Sequence, residues 1–133
     1  MVIDSSALLA VLFGELDAGD FIEALAFPGR KFLSSVNKLE AMIVVEARKG
    51  EAGTAALARL LATVEVETIP FDASQAEIAM AAWRRFGKGR HPAGLNLGDC
   101  AAYALVSTLN DSLLYKGSDF SKTDVVMALN GPR

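Results

Sequence analysis

The sequence predicts an α/β domain in which a central parallel sheet is covered by helices on both faces. Short apolar runs of strand type alternate with longer helical segments along the chain, which is typical of a parallel sheet with crossover helices. The 133 residues suit a single domain spanning residues 1–133. Apolar side chains make up 52% of the chain. They are ample for a core and leave a surplus that we expect a second subunit or partner to cover.

The first half of the chain is predicted to contain two strands, each followed by helical segments. The first strand is apolar and ends at Asp4, and Gly14 stops the helix that follows it. Ser35 is the expected N-cap of the third helix, and Gly50 is expected to end that helix. The elements are a strand at residues 2–3, helices at 5–13 and 17–26, a strand at 31–34 and a helix at 36–49.

The second half continues the alternation. Val64 and Val66 alternate with glutamates, which indicates a half-exposed strand. Asp72 begins a segment that resembles a capping box, and Asn96 is the expected cap of the last long helix. The elements are a helix at 52–62, a strand at 64–69, helices at 72–86 and 96–109, a strand at 112–115 and a short last strand at 125–129.

Composition excludes several classes of protein. The formal net charge is −3, which excludes a uniformly basic nucleic-acid-binding protein. The single cysteine, Cys100, excludes an internal disulfide framework and a multi-cysteine zinc site. The N-terminal segment lacks the basic region of a signal peptide, and no apolar run approaches the roughly 18 residues that span a bilayer. We therefore expect a soluble, cytoplasmic protein without a membrane partner.

Four acidic residues occupy positions that are unusual for solvent-facing side chains. Asp4 and Asp119 each follow a predicted strand. Asp99 follows Gly98, which permits close backbone approach, near the start of a helix. Glu40 lies in an otherwise apolar stretch of helix. Ordinary roles stay open: a helix cap for Asp4 and Asp99, a solvated stripe for Glu40 and a turn for Asp119.

These four carboxylates are expected to share one edge of the sheet, because the carboxyl ends of parallel strands meet there. Like charges at close range repel each other unless protons or a divalent cation neutralise them. Oxygen ligands favour a hard ion over zinc, which indicates Mg2+ with Mn2+ as a substitute. Such a site activates water and stabilises charge on a phosphoryl group, so the predicted chemistry is phosphodiester hydrolysis.

At these residues the sequence resembles the PIN-domain ribonucleases, specifically the VapC toxins of bacterial toxin–antitoxin pairs. The matching motifs follow one another in order and cover essentially the whole chain. They are Val2-Ile-Asp-Ser-Ser-Ala-Leu8, Leu33-Ser-Ser with Leu39-Glu-Ala41, Arg85-Phe-Gly-Lys-Gly-Arg-His91, Leu95-Asn-Leu-Gly-Asp-Cys100 with Tyr103-Ala104, and Lys116-Gly-Ser-Asp-Phe120 with Thr123-Asp124. The resemblance implies a PIN-like three-layer α/β/α fold with a central parallel sheet.

The resemblance also implies the roles of the acids. The catalytic set of a metal-dependent endoribonuclease would be Asp4, Glu40, Asp99 and Asp119. Asp4 and Asp99 would be the primary metal ligands. Glu40 and Asp119 would complete the shell, bind a second ion or orient the attacking water. Many relatives carry an acid at the position of Gly117; here Asp119 is expected to serve, with Asp124 as the alternative.

The resemblance further implies the partners. These would be an RNA substrate cut to a 5′-phosphate and a 3′-hydroxyl, a second copy of the chain in a homodimer, and a cognate VapB-type antitoxin that blocks the site. Apolar helix faces are expected to leave a groove for an antitoxin helix. These faces carry Leu8, Leu9, Leu12, Phe21, Ile22, Leu25, Leu57, Leu60 and Leu61. Complete coverage of these faces within the domain is the ordinary alternative.

A short basic segment is the expected contact for the RNA backbone. Its charges are Arg84, Arg85, Lys88 and Arg90, with no acid between them. Phosphate binding needs local rather than net positive charge. A solvated basic loop is the ordinary alternative.

Two other functions stay open. One is a receiver-like Mg2+-binding signalling domain, in which Asp72, after the strand at 64–69, would accept a phosphoryl group. The other is a non-catalytic module that binds RNA or an antitoxin.

Overall fold

Four short parallel strands form the centre of the molecule. A computed structural model describes residues 1–129, and its strands lie in the order β3-β2-β1-β4. The strands are β1 (Val2–Ile3), β2 (Lys31–Ser34), β3 (Val66–Ile69) and β4 (Leu113–Leu114). The helices are α1 (Ser5–Leu12), α2 (Ala18–Ala26), α3 (Ser35–Thr63), α4 (Ala73–Phe86) and α5 (Leu97–Leu109). A 3-10 turn, Phe120–Lys122, follows β4.

Successive strand residues are buried in two separate cores. Val2 and Leu113 pack with α4 and α5, whereas Ile3 and Leu114 pack with α1, α2 and α3. Side chains alternate between the two faces of a strand, so even a two-residue strand contributes to both cores. The predicted fold class is confirmed: a parallel sheet lies between two helical layers.

The predicted elements are recovered with small shifts in their bounds. The N-cap of α3 is Ser34 rather than the predicted Ser35, because the Ser34 Oγ accepts the backbone N–H of Val36 at 3.3 Å. Ser35 instead accepts the backbone N–H of Phe71 at 3.0 Å. Gly50 kinks α3 with φ 68° and ψ −167°, so the helical geometry breaks at the residue predicted to end the helix.

Two predicted strands are shorter than expected. Strand β3 begins at Val66, because Glu65 has a φ of 58° that is incompatible with a strand. The predicted last strand at 125–129 is wrong: within the described residues this segment forms a single bridge, between Leu113 and Met127. Strand β4 is only two residues long. The backbone hydrogen bonds between this strand and residues 125–129 all involve Leu113.

The apolar groove expected on the first helices is largely filled. The side chains of five of its nine residues are in the core: Leu8, Phe21, Leu25, Leu57 and Leu61. Ile22 is half exposed. Leu9, Leu12 and Leu60 are half-buried, so the packing of α1, α2 and α3 covers this set only in part, and a groove for an antitoxin helix stays a prediction.

The topology brings the carboxyl end of β1 between those of β2 and β4. Asp4, the first residue after β1, donates its backbone N–H to the Leu114 carbonyl at 2.9 Å. This bond fixes Asp4 at the edge of the sheet. None of the helices within residues 1–129 has both the length and the apolar character that a bilayer-spanning segment requires.

Candidate active site

Asp4 is a buried carboxylate at the junction of β1 and α1. It is 4% exposed and caps α1: its Oδ2 accepts the Ser6 backbone N–H at 3.0 Å and the Ser6 hydroxyl at 2.5 Å. The Ser6 Oγ in turn accepts the backbone N–H of Lys116, which follows β4, at 2.9 Å. The other oxygen, Oδ1, is buried and has no hydrogen-bond partner among residues 1–129. Such an acceptor is stabilised by a proton or a cation.

Glu40 is half-buried on α3 and reaches towards two other elements. Its Oε1 accepts a hydrogen bond from the Ser5 hydroxyl at 2.5 Å. The carboxylate also lies against Gly98 in the first turn of α5, where an added Cβ would be 2.5 Å from Oε2. Glu40 is therefore oriented towards the site rather than lying on a solvated stripe.

Asp99 occupies the third position of α5 and has a structural role as well as its predicted one. Its Oδ2 accepts the backbone N–H of Asn96 at 3.1 Å, and the Asn96 side chain accepts the Asp99 backbone N–H at 2.9 Å. This reciprocal capping box fixes the direction of the Asp99 carboxylate. The ordinary interpretation of Asp99 as a cap and its assignment to the acidic site are thus compatible.

The structure separates the two candidates for the fourth acid. Asp119 is exposed at the start of the 3-10 turn, makes no side-chain capping bond, and lies near enough for its charge to raise the pKa of Asp99. Asp124 accepts the Tyr103 hydroxyl at 2.8 Å and pairs with Arg85 at 3.3 Å. Asp119 is therefore the better placed of the two.

The acids perturb one another's ionisation. Burial raises the pKa of Asp4 to about 7, against the hydrogen bonds from Ser6, and the charges of Asp99 and Glu40 raise it further. Burial likewise raises the pKa of Asp99 to about 6, opposed by its bond from Asn96, with added repulsion from Asp119 and Glu40. Asp4, Glu40, Asp99 and Asp119 are thus one electrostatically coupled set.

The donor set fits a hard divalent cation. Across residues 1–129 no three acidic, histidine or cysteine side chains converge into a ready-made ligand cluster. The residues nevertheless offer carboxylate oxygens, including the buried and unpartnered Oδ1 of Asp4. Burial and, to a smaller extent, repulsion raise the pKa values of Asp4 and Asp99, and a bound cation stabilises the ionised carboxylates against both. Those two residues could hold the ion.

The basic segment lies at the end of α4 and in the following loop. Arg84 and Lys88 are exposed. Arg90 donates to the Arg84 carbonyl at 3.2 Å and stacks over Trp83, while Arg85 pairs with Asp124. All four cations reach the surface, but Arg85 is partly neutralised.

Sequence reasoning missed one buried polar residue beside the acids. Asn37, on α3 three residues before Glu40, is fully buried, and its Nδ2 donates to the Gly98 carbonyl at 2.9 Å. The only available signal was a polar side chain on the apolar side of a helix. The motif around β4 gave no role for Lys116, and the structure shows that its Nζ binds Glu15 and, at 3.0 Å, Asp17.

Comparison with known proteins gives one family. The profile of the PIN domain matches residues 1–126. Ribonuclease VapC30 of Mycobacterium tuberculosis (strain ATCC 25618 / H37Rv) is 45% identical over 125 residues, which are 94% of this chain and 95% of that protein.

Two solved structures share the fold. The first is M. tuberculosis VapC20, described as a sarcin-ricin loop cleaving toxin, with a TM-score of 0.78 and 19% identity over 94% of this chain and 95% of that one. The second is a toxin–antitoxin complex from Klebsiella pneumoniae, with a TM-score of 0.71 and 18% identity over 97% of each chain.

The raised pKa values predict an unusual pH dependence of stability in the absence of divalent ions. Asp4 and Asp99 have folded-state pKa values of about 7 and 6 against 3.8 for the free side chain. The folded protein therefore binds more protons than the unfolded chain between these values, and ionisation of the two groups destabilises the fold. In EDTA, we expect the melting temperature to rise by several degrees as the pH falls from 8 to 5.5.

The control for this experiment is an exposed acid. Asp4→Asn should remove much of the rise, and Glu77→Gln, on the exposed side of α4, should leave it unchanged. A melting temperature that is flat or falls over this pH range in the unmodified protein would contradict the electrostatic coupling.

Proposed function

Because the chain belongs to the PIN-domain family and is 45% identical to a VapC ribonuclease, we propose that it is the toxin of a VapBC-type pair. Its activity would be metal-dependent hydrolysis of RNA phosphodiester bonds. The observation that carries the proposal is the buried, unpartnered Oδ1 of Asp4 within a set of mutually repelling carboxylates. Divalent-metal dependence is general among PIN-domain ribonucleases, and we propose Mg2+, with Mn2+ as a substitute.

Each carboxylate has a distinct part in the proposed reaction. Asp4 and Asp99 would hold the cation, and Asp119 would complete the site from the segment after β4. When bound, the cation supplies Lewis-acid stabilisation of charge on the reacting phosphate. Glu40, held by the Ser5 hydroxyl, would complete the shell around the cation, orient a water and accept its proton. The water oxygen bonds to phosphorus, the bond to O3′ breaks, and O3′ takes up a proton, leaving a 3′-hydroxyl and a 5′-phosphate.

The two alternatives are less well supported. A receiver-like domain would need Asp72 as the phosphoacceptor, but its side chain caps α4 by accepting the Gln75 backbone N–H at 2.9 Å. The family match is also to the PIN domain. A non-catalytic binding module remains the outcome if the purified protein lacks activity.

The acidic site generates the first functional prediction. Asp4→Asn and Asp99→Asn should each lower RNA cleavage in Mg2+ or Mn2+ by about 100-fold or more, because each removes a charge that holds the cation. Asp119→Asn should lower it less, by about 10-fold. The measurement is cleavage of total bacterial RNA with mapping of new 5′ ends, with a parallel reaction in EDTA.

Asp124→Asn is the matched control, since Asp124 lies near the same region but pairs with Arg85 and Tyr103. It should retain activity. Cleavage that survives EDTA, or full activity in Asp4→Asn, would rule out the metal-nuclease proposal. Loss of activity in Asp124→Asn but not in Asp119→Asn would exchange their roles.

We propose that the basic segment binds the RNA backbone, because its cations are exposed on a chain whose net charge is −3. Arg84→Glu with Lys88→Glu should raise KM for RNA by about 10-fold or more and leave kcat within about twofold, since phosphate contacts supply affinity rather than chemistry. The control is Arg59→Glu on an exposed part of α3. Unchanged KM and salt dependence would contradict the assignment.

We propose that the chain forms a homodimer through an apolar groove between the start of α3, α4 and α5. The groove measures about 420 Å3 and is lined mainly by apolar side chains, among them Val36, Met80, Trp83 and Leu97. Leu97 is 78% exposed at its edge. A patch with both a projecting apolar side chain and an apolar groove can complement its own copy across a twofold axis.

Leu97→Glu should convert the dimer to a monomer in light scattering after gel filtration, because it places a charge in an apolar interface. Leu16→Glu is the control, as Leu16 is also fully exposed but lies on the α1–α2 connection. A monomeric unmodified protein, or a dimer that tolerates Leu97→Glu, would reject this interface.

We further propose a cognate antitoxin that covers the acidic site. Its support is the VapC relatives and the toxin–antitoxin complex that shares the fold. The domain would occupy residues 1–133 and act in the cytoplasm, where the free, buried Cys100 stays reduced.

A further inference from the structure

The contact between Glu40 and Gly98 is unusually close. An ideal Cβ built on Gly98 would be 2.5 Å from Glu40 Oε2, 2.8 Å from Oε1 and 2.9 Å from Cδ. The carboxylate therefore lies in the space that any other residue at position 98 would fill. Alanine has a higher helix propensity than glycine, and Gly98 lies in the first turn of α5, so helix stability alone does not account for a glycine there.

A second contact holds the same two helices together at the same residue. Asn37 lies one turn before Glu40 on α3, and its Nδ2 donates to the Gly98 carbonyl at 2.9 Å. The side chain is fully buried, and in the part of the chain that the structure describes its Oδ1 has no hydrogen-bond partner. A buried amide with one unsatisfied atom costs stability. We therefore ascribe to Asn37 a role in the relative placement of α3 and α5 rather than in stability.

We propose that Gly98 and Asn37 are positioning residues for Glu40. The missing side chain of Gly98 makes room for the Glu40 carboxylate beside Asp99, and the Asn37 amide keeps the first turn of α5 at this distance from α3. This inference rests on the proposed ribonuclease function and specifies which contacts align its carboxylates. Groups that orient a ligand from behind affect metal affinity or activity by about 10–100-fold.

The direct test is Gly98→Ala. The atoms in its way belong to the end of a flexible side chain, so the Glu40 carboxylate can move aside without unfolding α5. We expect the melting temperature in EDTA to stay within a few degrees. The Kd for Mn2+, measured by calorimetry, should rise about 10-fold, and kcat should fall about 10–100-fold with KM within about twofold.

Gly19→Ala is a closely matched control. Gly19 is also the second residue of its helix, α2, and an added Cβ there meets nothing within 4 Å. It should leave the Kd for Mn2+, kcat and KM unchanged. If Gly98→Ala also leaves all three unchanged, the positioning role of Gly98 is rejected.

A Glu40→Ala background tests whether Gly98 acts through Glu40, because the carboxylate that an alanine at position 98 would displace is absent there. Adding Gly98→Ala there should weaken Mn2+ binding no further, because the two changes act on the same group. A further loss equal to that seen in the unmodified protein would show that Gly98 acts elsewhere.

Asn37→Leu tests the second contact, since leucine has a similar volume but cannot donate to Gly98. We expect weaker Mn2+ binding and lower kcat at an unchanged melting temperature. A lower melting temperature with unchanged Mn2+ binding would mean that Asn37 only stabilises the fold.

Failure of the proposed ribonuclease function would give a different result from failure of the positioning roles. If the unmodified protein neither binds Mn2+ nor cuts RNA, the ribonuclease function and the positioning roles fall together. If the unmodified protein does both and Asp4→Asn does neither, indifference to Gly98→Ala and Asn37→Leu overturns the positioning roles alone.

Discussion

Electrostatic repulsion among carboxylates at one edge of the sheet is the constraint on which the site depends. The topology contributes, because β1 lies between β2 and β4, so that residues after these strands lie at one edge. Asp99 follows none of these strands and is brought to the edge by the packing of α5 against α3. Burial raises the pKa of Asp4 to about 7 and that of Asp99 to about 6, and repulsion between the carboxylates raises both further. A structure that keeps such groups together gains stability from whatever neutralises them.

The fold partly offsets this cost by placing the acids at the beginnings of helices. Asp4 caps α1, and Asp99 closes a capping box in the first turn of α5. Both carboxylates thus accept backbone N–H groups and lie near the positive ends of helix dipoles. In both residues the capping bond leaves acceptor positions of the carboxylate oxygens available to the site. Capping and ligand binding are therefore compatible at these positions, because a carboxylate has two oxygens and more acceptor sites than a cap uses.

The sequence was sufficient to place a residue at the acidic edge where the local rules for strands and helices agree with the topology. Asp4 and Asp99 could be predicted to lie at this edge, because Asp4 follows a strand and Asp99 lies at the start of a helix. The sequence could not show that Glu40 fills the space beside Gly98, because that contact joins residues 58 positions apart through the packing of α3 on α5. The extent to which the apolar faces of the first helices are covered could not be predicted for the same reason. Periodicity identifies an apolar face, but not which neighbouring helix covers it.

Affinity for RNA and the chemistry on RNA require opposite charges, and in the proposed function these charges lie on different elements. A phosphate is repelled by the carboxylates unless a cation lies between them, so the acidic edge by itself opposes binding. In the proposed function, the exposed cations at the end of α4 would supply the attraction that this edge lacks. Asp124 links the two regions, since it pairs with Arg85 on α4 and accepts the hydroxyl of Tyr103, one turn after Asp99 on α5. The pair lowers the local positive charge, so Arg84, Lys88 and Arg90 would supply most of the attraction for the RNA backbone.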